Sequence, residues 1–342
     1  MKFSNNYILY PDNRALEQAI SDSRNLLTPE QSKVIFPDRS VTVADNFLHT
    51  RGNFEQQRFS SGVFEVLRDA LQSSLTEAIR EKEPLTWAES QNNLGNILAA
   101  LGQQQGNAQS YTQAIECFHR ALEEFDQEDS PGDWAATQFS LGTANQAHGR
   151  LIDDKKSLKN AVDAYTNALL VWSKDETPEE WMLTMHNLGA TLHTYGKLLK
   201  GNRNFQKSVV AYKNALSVLD ADNYPFELAA AHNNCGAVLH NLAESEESPE
   251  RLEEAIRSYE KGWTVCMEQQ LPVHLSVLCR VNKGSARGVL AELTKDVLLA
   301  EEVADEFEVT LECFPHALQP LCEKFCEEQV SRLRQIAAAA SE

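Results

Sequence analysis

The sequence predicts an all-α chain of about five helical hairpins, wound as a superhelical α-α solenoid with capping helices at both ends. Three observations predict it. Prolines recur at Pro84, Pro131, Pro178, Pro225 and Pro272, each 47 residues after the last. Small and aromatic residues recur at the same step. Ala, Leu, Glu, Gln and Lys, which lose little rotamer freedom in a helix, crowd the middle of the chain.

The repeat has several marks. Trp87, Trp134 and Trp181 follow their prolines by three residues. Leu94-Gly95, Leu141-Gly142, Leu188-Gly189 and Cys235-Gly236 keep the step, and Lys283-Gly284 comes after 48. So do the small residues Ala114, Ala161, Ser208 and Ala255, and the aromatics Phe118, Tyr165, Tyr212 and Tyr259. Ala121, Ala168, Ala215 and Gly262 complete the unit. A one-residue insertion after Pro272 carries the last copy to Val303, Phe307 and Thr310. A period of this length is the signature of a repeat architecture. The expected units are 84–130, 131–177, 178–224, 225–271 and 272–314. Residues 1–83 read as an N-terminal helical extension and cap, and 315–342 as a C-terminal capping helix and tail.

Each unit reads as two helices. The prolines suit a first helical turn, where a missing N–H costs nothing. Thr177-Pro178-Glu179-Glu180 has the form of a capping box, and Ser130-Pro131-Gly132-Asp133 is a weaker version. Leu94, Ile97, Leu98 and Leu101 lie at helical spacing on the first helix, which Gly102 and Gly106 should end. The second helix should run from about Ala108 to Phe125, with Ala114, Phe118 and Ala121 on one face.

Leu94-Gly95 with Ala114-x3-Phe118-x2-Ala121 resembles the tetratricopeptide repeat. So do Leu141-Gly142 with Ala161-x3-Tyr165-x2-Ala168, Leu188-Gly189 with Ser208-x3-Tyr212-x2-Ala215, and Cys235-Gly236 with Ala255-x3-Tyr259-x2-Gly262. The resemblance covers residues 84 to 314. It implies a scaffold or adaptor that binds a partner protein on the concave side of its stacked first helices. The family unit is about 34 residues, so helices or turns here must be longer. The family's aromatic three positions before the Leu-Gly is replaced by Gln91, Gln138, Met185 and His232.

Before the repeats, Val63, Leu67, Leu71, Leu75 and Ile79 form one stripe, predicting a capping helix over about Phe54 to Glu83. Another helix is expected from about Asp12 to Leu27, and Thr28-Pro29-Glu30-Gln31 is a further start signal. Phe36 to Thr50 reads as an arm or a loop packing into the groove. After the repeats, Leu318, Leu321, Phe325 and Val330 predict the closing cap, with Ala337 to Glu342 frayed.

The formal net charge of −19 argues against nucleic acid and anionic membranes, both of which need a basic footprint. It fits solvated helix faces, and a basic protein partner if charge selects one. No stretch approaches the roughly 18 consecutive apolar residues of a membrane span, and Met1 to Asn13 holds no signal-peptide core. Seven scattered cysteines read as reduced thiols of a cytoplasmic chain.

The candidate binding residues lie on the first helices. Just before each Leu-Gly step stand Asn93, Ser140, Asn187, Asn234 and Asn282, and before them Asn92, Phe139, His186, Asn233 and Val281. One position after come Asn96, Thr143, Ala190, Ala237 and Ser285. An amide offers both donor and acceptor, so a row of them can pair with a peptide backbone whatever its sequence. This is similar to the asparagine ladders of some tetratricopeptide proteins. A partner's acidic tail would need lysines or arginines here, and only Arg280 and Arg287 are near. The candidate partner-binding set is therefore Asn92, Asn93, Asn96, Phe139, His186, Asn187, His193, Asn233, Asn234, His240 and Asn282. His193 and His240 are one repeat apart, and with His186 they suggest a metal site or pH switch as a lesser alternative. Cys313, His316, Cys322 and Cys326 have zinc-ligand types at a spacing that matches no zinc signature. No nucleophile elbow, P-loop or zinc-protease motif occurs in the sequence. The reading is a non-enzymatic scaffold without catalytic residues, metal or cofactor, gripping an extended segment of another protein. Self-assembly into a homo-oligomer is the structural alternative.

Overall fold

The structure, a computed structural model, describes residues 61–314 and 320–339. They fall into two compact units, 61–198 and 199–339. Every regular element among the described residues is an α-helix, as the sequence predicts. The expected helix over Asp12–Leu27, the start signal at Thr28–Gln31, the Phe36–Thr50 arm and His316 lie outside the described residues.

The N-terminal unit holds α1 (Ser61–Ser74), α2 (Glu77–Lys82), α3 (Pro84–Gln105), α4 (Ala108–Ala121), α5 (Pro131–Leu151), α6 (Lys155–Ala168) and α7 (Pro178–Leu199). In it α3 packs on α4, α4 on α5, and α5 on α6, while α3 also meets α5 directly. The C-terminal unit holds α8 (Asn202–Leu216), α9 (Pro225–Glu246), α10 (Pro249–Glu268), α11 (Val273–Thr294), α12 (Val297–Cys313) and α13 (Pro320–Ala339). There each helix packs on the next along the chain, and α9 meets α11 as α11 meets α13. Neighbour-on-neighbour hairpin packing is the internal order of an α-solenoid.

One contact explains the recurring glycine. A Cβ added to Gly95 would lie 2.6 Å from the Phe118 ring, and one on Gly142 2.7 Å from Tyr165. On Gly236 it would lie 2.8 Å from Tyr259, and on Gly284 3.0 Å from Phe307. The aromatic of each second helix thus rests against the bare backbone of its first helix. Phe118, Tyr165, Tyr259 and Phe307 are all buried. Complete burial of such a side chain contributes about 1.5–3 kcal/mol.

The hairpin turns repeat too. Asn107 Oδ1 accepts from Gln109 N at 2.9 Å, Asp154 Oδ2 from Ser157 N at 2.9 Å, and Asp296 Oδ1 from Leu299 N at 3.0 Å. Each satisfies an N–H that the helix start leaves unpaired. The residue before the cap is left-handed in all five hairpins: Gly106 (φ 60°), Asp153 (54°), Lys200 (53°), Glu247 (48°) and Lys295 (57°). Only the first is glycine, the residue this conformation favours.

Several expectations need correction. Gly102 does not end α3; it sits inside the helix beneath Tyr111, and Gly106 terminates it. The second helix stops at Ala121 rather than Phe125, because the chain turns there to reach Pro131. Ser130 makes no side-chain cap at α5; its Oγ instead accepts from Asp126 N at 3.1 Å, and Thr177 Oγ1 likewise accepts from Ser173 N at 2.9 Å. The first cap is not one helix. Thr76 interrupts it and caps α2, so Leu67 and Leu71 are buried while Ile79 faces solvent. At the other end α13 closes the C-terminal unit as expected, with Phe325 and Val330 packed against its core. Its helix continues to Ala339 and buries Ala337, which the sequence reading took as frayed.

Candidate functional site

The eleven candidate residues are far less exposed than residues on an open wall. Asn93, Phe139, His186, Asn187, His193, Asn233, Asn234 and Asn282 are buried, and Asn92, Asn96 and His240 are half-buried. Phe139 is an interior residue. Its ring lies 5.6 Å from both Tyr165 and Trp172, between α5 and α6. It therefore cannot be presented to a partner as the sequence reading supposed.

In the C-terminal unit the amides close on one another. Asn282 Nδ2 donates to Asn233 Oδ1 at 2.9 Å across α11 and α9, and Asn233 Nδ2 donates to Asn234 Oδ1 at 3.3 Å. A buried amide is costly without partners; Asn282 supplies one from the next repeat, and Asn234 supplies one from the same helix. In the N-terminal unit the positions equivalent to Asn282 and Asn233 are held by Ser140 on α5 and Asn92 on α3. Serine is too short to replace the asparagine. Asn92 Oδ1 has no hydrogen-bond partner, nor has Asn96 Nδ2 one turn further along. One is an acceptor and the other a donor, and i,i+4 spacing puts both on the same face of α3.

A second polar group lies on α5. Thr143 Oγ1 and Tyr165 Oη are 3.1 Å apart, and Tyr165 Oη donates to Gln146 Oε1 at 2.7 Å. Burial pushes the Tyr165 phenol up from its usual range, so it keeps its proton and remains a donor. Gln146 Nε2 is left with no partner, although the residue is buried. Sequence reasoning missed Gln146.

Burial favours the neutral form of two histidines, His193 and His232. Burial, reinforced by Lys197 and Arg150, lowers the His193 pKa well below its usual value. At the replaced aromatic position, burial and then Lys261 push His232 down to about 4. Among the described residues no group of three or more His, Cys, Asp or Glu side chains could hold a metal ion. Cys322 and Cys326 lie in the α13 core, while Cys313 is exposed at the end of α12. Arg287 is engaged by Glu302 and Glu306, and Arg280 lies 6.0 Å over the Phe314 ring. Among the described residues no helix is long and apolar enough to cross a membrane.

The fold and these polar rows define a tandem helical-hairpin protein. No protein-family model matches the chain, and no curated protein matches it with significant similarity.

Proposed function

We propose that this chain is a non-enzymatic repeat scaffold of tetratricopeptide type that grips an extended segment of a partner protein on the first helices of its N-terminal unit. The observation that carries this reading is the Asn92–Asn96 pair. Its unpaired Oδ1 and Nδ2 match the N–H and C=O of an extended backbone. The Gly–aromatic contacts, which follow the 47-residue step and its one-residue slip at Gly284, support the tetratricopeptide resemblance. The seven cysteines carry free thiols, which favours a cytoplasmic setting. A net charge of −19 favours protein partners over nucleic acid or anionic membrane.

The test uses an array of short random-sequence peptides probed with the full chain. Asn92→Ala combined with Asn96→Ala should weaken capture by about tenfold, as expected for two lost hydrogen bonds. Helical content by circular dichroism should not change. Capture equal to the parent chain would remove the amide pair from the site, and a parent chain that captures no peptide would end the reading.

A further inference from the structure

The tyrosine of the second helix and one position of the first helix change together along the sequence. Tyr165, Tyr212 and Tyr259 accompany Gln146, His193 and His240, whereas Phe118 and Phe307 accompany Ala99 and Gly288. A hydroxyl is present where a polar group stands at the partner step and absent where Ala or Gly does. In the N-terminal unit the reason is visible. Tyr165 Oη donates to Gln146 Oε1, and the Thr143 hydroxyl lies within hydrogen-bond distance of Tyr165 Oη. With its oxygen engaged, the amide can turn only its NH2 group away from Tyr165. That Nε2 is buried and has no partner. A buried donor left unmade costs about 1–3 kcal/mol.

From this geometry we infer that Gln146 is a preset donor subsite for an uncharged carbonyl of the bound segment, and that Tyr165 is its positioning residue. The inference rests on the peptide-binding reading above and adds what the site takes at α5. A neutral carbonyl fits better than a carboxylate. Desolvating a charge beside a neutral amide is expensive, and burying a carbonyl that gains a hydrogen bond is not. Tyr165, itself paired with the Thr143 hydroxyl, fixes which end of the Gln146 amide is offered. Without the phenol the amide can rotate by half a turn and present its oxygen, which repels a carbonyl.

The test exchanges residues the fold already uses. Tyr165→Phe with Gln146→Ala recreates the Phe118–Ala99 pair of the first repeat, so the hairpin should stay folded. The probe is the same random-peptide array, including acidic sequences. The double variant should lose about tenfold in capture and Tyr165→Phe alone about three- to tenfold. In the free protein, the Tyr165→Phe change should also shift or broaden the Gln146 side-chain amide resonances in a 15N-resolved spectrum. Parent-like capture by the folded double variant would overturn the inference while leaving the scaffold reading intact. So would Gln146 resonances unmoved by Tyr165→Phe, or stronger capture of carboxylate-rich peptides through Gln146. A parent chain that captures nothing would sink the inference and the scaffold reading together.

Discussion

The two units place the same repeat position in opposite chemical conditions. In the C-terminal unit Asn282 reaches Asn233 and the amide chain closes on itself. In the N-terminal unit Ser140 stands where Asn282 would be, and Asn92 keeps an unpaired oxygen. One residue type, Asn or Ser, separates a first-helix amide bonded to the neighbouring repeat from one that keeps an unpartnered oxygen. A row of asparagines in a sequence therefore does not by itself mark a binding wall.

The largest expected effect tests the units at the replaced aromatic position, where the N-terminal unit has Gln138 and the C-terminal unit His232. His232 is held at a pKa of about 4, below its unfolded value near 6.5. The folded state then binds fewer protons than the unfolded chain. Its stability contribution is complete above about pH 6.5 and falls as the pH drops towards 4, by up to about 3 kcal/mol. His232→Gln should remove that part of the acid sensitivity, measured as the midpoint of urea unfolding against pH. A slope unchanged from the parent would contradict the assignment.

Next in size is the amide bond itself. Asn282→Ala leaves Asn233 Oδ1 buried and unpaired and should cost about 1–3 kcal/mol. Asn92→Ala breaks no bond and should leave the unfolding midpoint close to that of the parent. Equal losses at the two sites would erase the distinction between the units. A smaller effect is expected from Ser140→Asn, which supplies the missing amide. It should stabilise the N-terminal unit by about 1 kcal/mol and weaken peptide capture through Asn92. A gain in stability with capture unchanged would mean that Asn92 faces no ligand. The smallest effect concerns the left-handed caps. Glu247→Gly should raise stability by about 0.5–1 kcal/mol, because its φ of 48° suits glycine. Gly106→Ala should lower it by a similar amount, since no neighbouring atom offsets the strain.

Most of the hairpin architecture was legible in the spacing. The 47-residue step located the glycines, and their contacts with Phe118, Tyr165, Tyr259 and Phe307 explain why they cannot be larger. The insertion after Pro272 was legible as well: Pro272 caps α11 from outside, whereas Pro225 begins α9. What spacing alone did not reveal depends on side-chain length and direction. The stripe from Val63 to Ile79 has helical period throughout, yet the chain breaks at Thr76, whose hydroxyl captures Ile79 N. Phe139 stood beside the asparagine row and belongs to the core. Gln146 carries no motif, and only its alternation with Tyr165 along the repeats could have drawn notice. Left-handed residues without glycine, such as Lys200 and Lys295, leave no local signal at all.

Because each described helix in the C-terminal unit leans mainly on the one before and the one after, disorder there has no need to be global. Loss of α13 would strip the cover from α11 and α12, whose Phe307 and Val281 share its core. The damage should then stop at the first hairpin whose aromatic is still seated on its glycine. Such a unit yields like a zip, tooth by tooth from its α13 side.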